Sequence, residues 1–172
     1  MMESEQTKDV AEPGDRTERS IVVTVNGVRG ERRVSVRKSL VDFIREDLQL
    51  TGSHVGCEHG VCAACTVLLD DEPVLGCLVL AVQAHGKNVT TVEGLAGEGE
   101  LHPIQQAFWE EHGLQCGFCT PGILLTAYDL LRQKQGLTDG EIREALSGNL
   151  CRCTGYEGIV RAVRAADENW VR

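Results

Sequence analysis

A chain of 172 residues is long enough for one ordinary domain or two small ones. It is 42% hydrophobic and 25% charged but only 4% aromatic, so any core must be aliphatic. A formal net charge of −9 weighs against nucleic-acid binding, which needs clustered Lys and Arg, and against a polybasic membrane surface. No apolar run approaches the ~20 residues that span a bilayer.

Residues 1–19 are charged throughout and have almost nothing to bury, which predicts a disordered tail. They hold no apolar stretch of the kind found in a secretory signal, and no apolar run follows Arg32-Arg33 to make a twin-arginine signal. The expected location is therefore cytoplasmic.

Residues 20–94 read as a small β-rich domain. The β-branched run Ile21–Val25 is followed by Asn26-Gly27, a hairpin turn signal, and Arg32–Val36 alternates as a returning strand would. Ser39 is a predicted N-cap, and Leu40, Phe43, Ile44 and Leu48 lie on one face of a short helix. Thr66–Asp70 and Pro73–Cys77 form a predicted hairpin around Asp70-Asp71-Glu72, with a last strand over 87–92. Two strands, a helix and then more strands are the order of a β-grasp domain, an assignment made by analogy.

Residues 95–101 are rich in Gly, Ala and Glu and read as a linker. From 102 to 172 the period becomes helical. Pro103 and Pro121 suit first helical turns, Thr138 with Glu141 is a capping box, and a fourth helix is predicted from about Gly155 to Trp170. Leu124, Tyr128 and Leu131 are spaced to pack inward. The predicted fold class is thus α+β: an N-terminal β-grasp, ferredoxin-like domain followed by an all-α four-helix bundle.

The chain has eight Cys, well above ordinary usage. In a reducing compartment such thiols bind metal or do redox work rather than form disulfides. The first group, Cys57-x4-Cys62-x2-Cys65 with Cys77 further on, has the spacing of plant-type [2Fe–2S] ferredoxins. Gly52, Gly56 and Gly60 let the loop curl and aim backbone N–H groups at the cluster sulfurs. A structural zinc is less suited, because zinc ribbons use two C-x2-C knuckles and this group has one. The second group, Cys116-x2-Cys119 with Cys151-x-Cys153, is ambiguous by spacing: zinc, [2Fe–2S] or a thiol–disulfide pair all fit. The helical reading puts its four thiols on two loops at one end of the bundle.

The segments GCEHGVCAACTV (56–67), LQCGFCTPG (114–122) and GNLCRCTGY (148–156) together resemble the small iron–sulfur subunit of molybdenum hydroxylases. That family includes xanthine dehydrogenase, aldehyde oxidoreductase and carbon monoxide dehydrogenase. The resemblance covers about residues 20–168 and implies [2Fe–2S] clusters on both Cys groups. It further implies a large partner subunit carrying a molybdenum–pterin dinucleotide and a medium one carrying FAD, paired as a dimer of heterotrimers. Electrons would pass from molybdenum to the helical-domain cluster, then to the ferredoxin-like cluster, then to FAD. Gln115 and Cys153 would lie beside the pterin. The chain itself would conduct electrons without catalysing bond chemistry, and it shows no dinucleotide fingerprint.

Three positions depart from the family pattern. Ala63 stands where Gly is usual, at a cost of about 1 kcal/mol if its φ is positive. Asp71 replaces a hairpin Gly, and His54 replaces a common Lys, read as a surface substitution. His59 and the tryptophans Trp109 and Trp170 read as loop or packing residues rather than ligands or relays. The competing functional class is a stand-alone ferredoxin or redox sensor without a molybdenum partner.

Overall fold

The computed structural model describes residues 17–97 and 99–170. Asn26 and Gly27 both take left-handed backbone (φ 49° and 80°), the combination a tight hairpin turn requires. They join β1 (Glu18–Val25) to β2 (Val28–Ser35), with Val25 opposite Val28. Asp70 and Asp71 (φ 50° and 68°) close a second such hairpin between β3 (Thr66–Leu69) and β4 (Glu72–Leu75). Asp71 therefore does take the left-handed backbone that Gly would supply. The Asp70 carboxylate accepts from Lys87 Nζ (2.6 Å) and from the Asn88 N–H (2.8 Å), which anchors the turn to β5 (Asn88–Thr90).

The sheet order is β2-β1-β5-β3-β4, with β1 and β5 parallel and the other neighbours antiparallel. This mixed sheet is that of a ferredoxin-like domain. Glu18 and Arg19, read from sequence as tail, belong to β1: Glu18 pairs with Ser35 in the ladder and forms a salt bridge to Arg33. Thr17 accepts the Val36 N–H on its carbonyl (2.9 Å), and residues 1–16 of the predicted tail lie outside the described residues. The last strand is shorter than the predicted 87–92. Its end is set by the Asn26 side chain, which accepts the Thr91 N–H (2.9 Å) in place of a strand partner.

Ser39 caps α1 (Leu40–Asp42), its hydroxyl accepting the Asp42 N–H at 3.1 Å. The predicted single helix then widens into a π-helical segment, Phe43–Asp47, in which the Leu48 N–H reaches the Phe43 carbonyl. Leu40, Val41, Phe43 and Ile44 are buried on one face, while Leu48, beyond the widened turn, is half-buried. Two short 3₁₀ turns, Ala81–Ala84 and Val92–Gly94, were not predicted, the second starting at the last residue of the predicted strand.

Four helices follow: α2 (Pro103–Glu110), α3 (Thr120–Gln133), α4 (Asp139–Ala145) and α5 (Glu157–Glu168). The Thr138–Glu141 capping box forms as predicted, each backbone N–H donating to the other side chain. β3 joins the two halves through its alternation. Val67 faces the core under α1, whereas Leu68 on the opposite face belongs to the core of the helices, and α3 packs on β3 and β4. Leu95, within the predicted linker, is also buried in the helical core. Among the described residues no helix is long and apolar enough to cross a membrane.

His102 caps α2. Its Nδ1 accepts the Ile104 N–H (3.3 Å), and its ring packs against Tyr128 and Trp170, each with centroids 5.3 Å away. Trp109, by contrast, is exposed. Burial holds the His102 pKa below its ordinary value of 6.5. The unfolded chain therefore binds the proton more tightly, and the cap's contribution is present above pH 6.5 and lost as pH falls through the lower folded-state pKa. His102→Asn keeps a capping acceptor that does not titrate, so the thermal midpoint of this variant, measured from pH 8 to pH 5, should fall less than that of the parent. The difference should reach about 1 kcal/mol, the ordinary worth of a cap.

Candidate metal centres

The first Cys loop runs from the end of the π-helical segment to β3. Glu58, Gly60 and Ala63 have positive φ (58°, 81° and 55°) and fold it back on itself. Ala63 thus occupies the left-handed backbone that Gly ordinarily fills, at a cost of about 1 kcal/mol. The fold supports it: its carbonyl accepts both the N–H (3.3 Å) and the hydroxyl (2.8 Å) of Thr66. Cys57 Sγ accepts the N–H groups of Val61 (3.3 Å) and Cys62 (3.4 Å), the amide-to-sulfur geometry expected of the loop. The backbone N–H groups of His59, Cys62 and Val61 bring the Cys57 thiol down to about 6. His59 turns its ring to the Cys57 carbonyl.

Cys65 lies at the buried end of the loop, and burial pushes its thiol up to about 11, with Cys77 beside it. Cys77 follows β4 and is positioned through Gly76, whose N–H donates to the Cys65 carbonyl at 3.1 Å. Gly56 has a steric role. A Cβ there would stand 3.2 Å from Cys62 Sγ and 3.4 Å from the Phe118 ring. Gly52 packs on Glu93, whose carboxylate accepts its N–H (2.7 Å), so it does not shape the curl of the loop.

The second group assembles from two separated loops. Cys116 and Cys153 are exposed, with their sulfurs 3.5 Å apart. Cys119, immediately before α3, and Cys151 are half-buried neighbours. Burial first, then Cys151, pushes the Cys119 thiol up to about 12. Burial also acts to raise Cys151, but the Thr154 hydroxyl and backbone N–H groups outweigh it and the net shift is downward. The Phe118 N–H lowers Cys116, and Cys116 in turn raises Cys153. Gln115 is exposed beside Cys116.

Tyr156 organises the 149–156 loop, a role the sequence reading did not give it. Its hydroxyl accepts the Cys151 N–H (2.8 Å) and donates to the Asn149 carbonyl (3.0 Å). Its own backbone is left-handed (φ 68°), which starts α5 two residues later than predicted.

Three contacts join the two loops. The Leu150 N–H donates to the Cys62 carbonyl at 3.1 Å. The His54 ring stacks on Phe118 (centroids 4.8 Å apart, planes at 16°), and its Nδ1–H donates to the Phe118 carbonyl at 2.8 Å. Gly122, in the first turn of α3, lies so close to the first loop that an added Cβ would stand 2.1 Å from the Ala63 carbonyl oxygen. His54 is therefore a bridging residue, not the surface substitution expected.

The loops suit iron–sulfur clusters. Among the described residues no three His, Cys, Asp or Glu side chains converge on a single ion, but a two-iron cluster takes its thiolates in two pairs. Ser53 Oγ, Thr120 Oγ1 and Asn149 Nδ2 are buried polar atoms left without hydrogen-bond partners, all beside these loops.

Two family models match this chain: a 2Fe–2S iron–sulfur cluster binding domain over residues 23–88 and a [2Fe–2S] binding domain over residues 91–164. Caffeine dehydrogenase subunit gamma of Pseudomonas sp. (strain CBB1) is 56% identical over 148 residues, covering 84% of this chain and 89% of that one. The nicotinate dehydrogenase small FeS subunit of Eubacterium barkeri is 47% identical over 150 residues, covering 85% and 96%. A chain of quinoline 2-oxidoreductase from Pseudomonas putida 86 superposes with a TM-score of 0.86 at 46% identity, covering 88% of this chain and 95% of that one. The chain belongs to the small iron–sulfur subunits of the molybdenum hydroxylase family. This small subunit is an electron-transfer component of an oxidoreductase and takes two [2Fe–2S] clusters. That closes the question its second Cys group left open between zinc, a dithiol pair and a cluster.

The approach of Gly122 to Ala63 gives a direct test of how the two loops are joined. Gly122→Ala drives a methyl group into a backbone carbonyl that no side-chain rotation can clear. It should destabilise the small subunit by about 1–3 kcal/mol, read as a lower thermal midpoint. An unchanged midpoint would show that the loops are not in contact there.

Proposed function

We propose that the eight cysteines are the cluster ligands and that each cluster takes them as two pairs. In the N-terminal cluster Cys57 and Cys62 hold one iron, and Cys65 and Cys77 the other. In the C-terminal cluster the pairs are Cys116 with Cys153 and Cys119 with Cys151. The neighbouring thiols support this pairing: Cys57 interacts with Cys62, Cys65 with Cys77, Cys119 with Cys151, and Cys116 lies 3.5 Å from Cys153. When bound, the clusters supply one-electron transfer between a molybdenum–pterin dinucleotide on a large subunit and FAD on a medium subunit. Residues 18–94 form the ferredoxin-type domain, 95–101 its connection, and 102–170 a four-helix bundle.

The observation that carries this reading is the exposed apolar surface around the Cys loops: Val61, Leu78, Phe118 and Leu150 are each about half exposed or more. Such surface marks a docking site for partner subunits, which a stand-alone ferredoxin does not need. Gln115 and Cys153, both exposed, face the pterin, and the first loop faces FAD. The assembly is a dimer of heterotrimers in the cytoplasm. Its substrate is a nitrogen heteroaromatic compound, by likeness to relatives named for caffeine, nicotine, nicotinate and quinoline.

The assembled complex should contain about four irons and four acid-labile sulfides per small subunit, the content of two such clusters. It should give two distinct reduced-state paramagnetic resonance signals. Cys62→Ser should remove one signal and leave the other, because the ligand pairs do not mix between loops. Stoichiometric zinc without labile sulfide, or loss of both signals from a folded Cys62→Ser protein, would refute the assignment.

A further inference from the structure

We propose that Thr154 sets the reduction potential of the C-terminal cluster through a hydrogen bond from its hydroxyl to Cys151 Sγ. The inference rests on the reading above, that Cys151 is a cluster ligand.

Thr154 Oγ1 lies 3.1 Å from Cys151 Sγ, within hydrogen-bonding distance for sulfur. The direction of this bond follows from chemistry. A metal-bound thiolate has no hydrogen, so it can only accept. The Tyr156 N–H, 3.1 Å away, donates to a lone pair of the same Thr154 oxygen and leaves the hydroxyl hydrogen free to point at sulfur. Tyr156 also holds the loop from the other side, through the Cys151 N–H and the Asn149 carbonyl. The hydroxyl is therefore oriented before any change in cluster charge.

Such a bond distinguishes the two redox states. Reduction adds one electron to the cluster, and the added negative charge strengthens every hydrogen bond that its ligands accept. A hydroxyl aimed at Cys151 stabilises the reduced form more than the oxidised form and raises the potential. At the first loop, Cys57 Sγ receives backbone N–H groups, which every residue but Pro supplies. The Thr154 bond comes from a side chain, so substitution can remove it; removing the hydroxyl also takes the acceptor of the Tyr156 N–H, and Ser supplies both again.

The test is a redox titration of the full chain with both clusters assembled, followed by paramagnetic resonance. Thr154→Val keeps the shape and removes the donor. At a fixed ambient potential the ratio of reduced to oxidised C-terminal cluster should fall about tenfold, a shift of about 59 mV for one electron. The N-terminal cluster should not move. Thr154→Ser should restore the parent value, which a purely steric role would not predict. Pulsed resonance on the parent in heavy water should also show a coupled exchangeable proton at the reduced C-terminal cluster that Thr154→Val lacks. If Thr154→Val fails to assemble, Thr154→Ala provides the same comparison. An unchanged potential with both signals intact, an equal shift of both clusters, or no restoration by Ser would overturn the proposal. Absence of a second cluster signal in the parent would instead refute the ligand assignment on which it rests.

Discussion

The contact on which the rest of the arrangement depends is the approach of α3 to the first Cys loop at Gly122 and Ala63. With no side chain at Gly122, the backbone of α3 comes against the Ala63 carbonyl, closer than any Cβ would permit. Cys119 sits one turn earlier in the same segment and Cys62 immediately before Ala63, so one close approach seats a thiol from each group. The Leu150 N–H on the Cys62 carbonyl adds the loop of Cys151 and Cys153 to the same seam. Stacking of His54 on Phe118 adds the segment before Cys57. The two halves are thus fixed to one another at their cofactor loops, and the shared strand β3, with Val67 in one core and Leu68 in the other, keeps the sheet and helices in register behind that seam.

Each Cys group has a wet side and a dry side. Burial pushes Cys65 and Cys119 up to about 11 and 12, while backbone N–H groups bring down the more exposed Cys57 and Cys116. Thiolates must form at all four positions of a group before a cluster binds, and the buried ones resist ionisation without a metal beside them. Under the proposed ligand assignment, cluster assembly would supply charge compensation where the protein offers least. The same gradient of burial separates the thiols set into each core, Cys65 and Cys119, from the more exposed Cys57 and Cys116.

Much of this was legible in the sequence because it depends on local rules. Asn26-Gly27 permits little besides a tight hairpin, Thr138 and Glu141 cap one another whatever surrounds them, and the Cys spacing reflects the reach of a short loop. Other features arise only when distant segments meet. His54 acquires its role from Phe118, 64 residues away, and a lone histidine carries no signal of that. Tyr156 reads as an ordinary helix residue until its hydroxyl is found holding two backbone groups. The π-helical segment adds a residue to one turn, and its apolar pattern Leu40, Val41, Phe43, Ile44 is that of an ordinary helix face and carries no signal of it. Leu95 looked like linker because its neighbours are Gly and Ala, yet one buried leucine suffices to tie that segment to the helical core.

The central claim, that the two cofactor loops form one rigid seam, is tested most directly by hydrogen exchange at the Leu150 amide, read by mass spectrometry with residue-level fragmentation. Its side chain is exposed, so a loop free of the seam would let this amide exchange quickly. The seam predicts exchange as slow as that of core amides such as Leu125, requiring global unfolding. Fast exchange at Leu150 with Leu125 still protected would contradict the account.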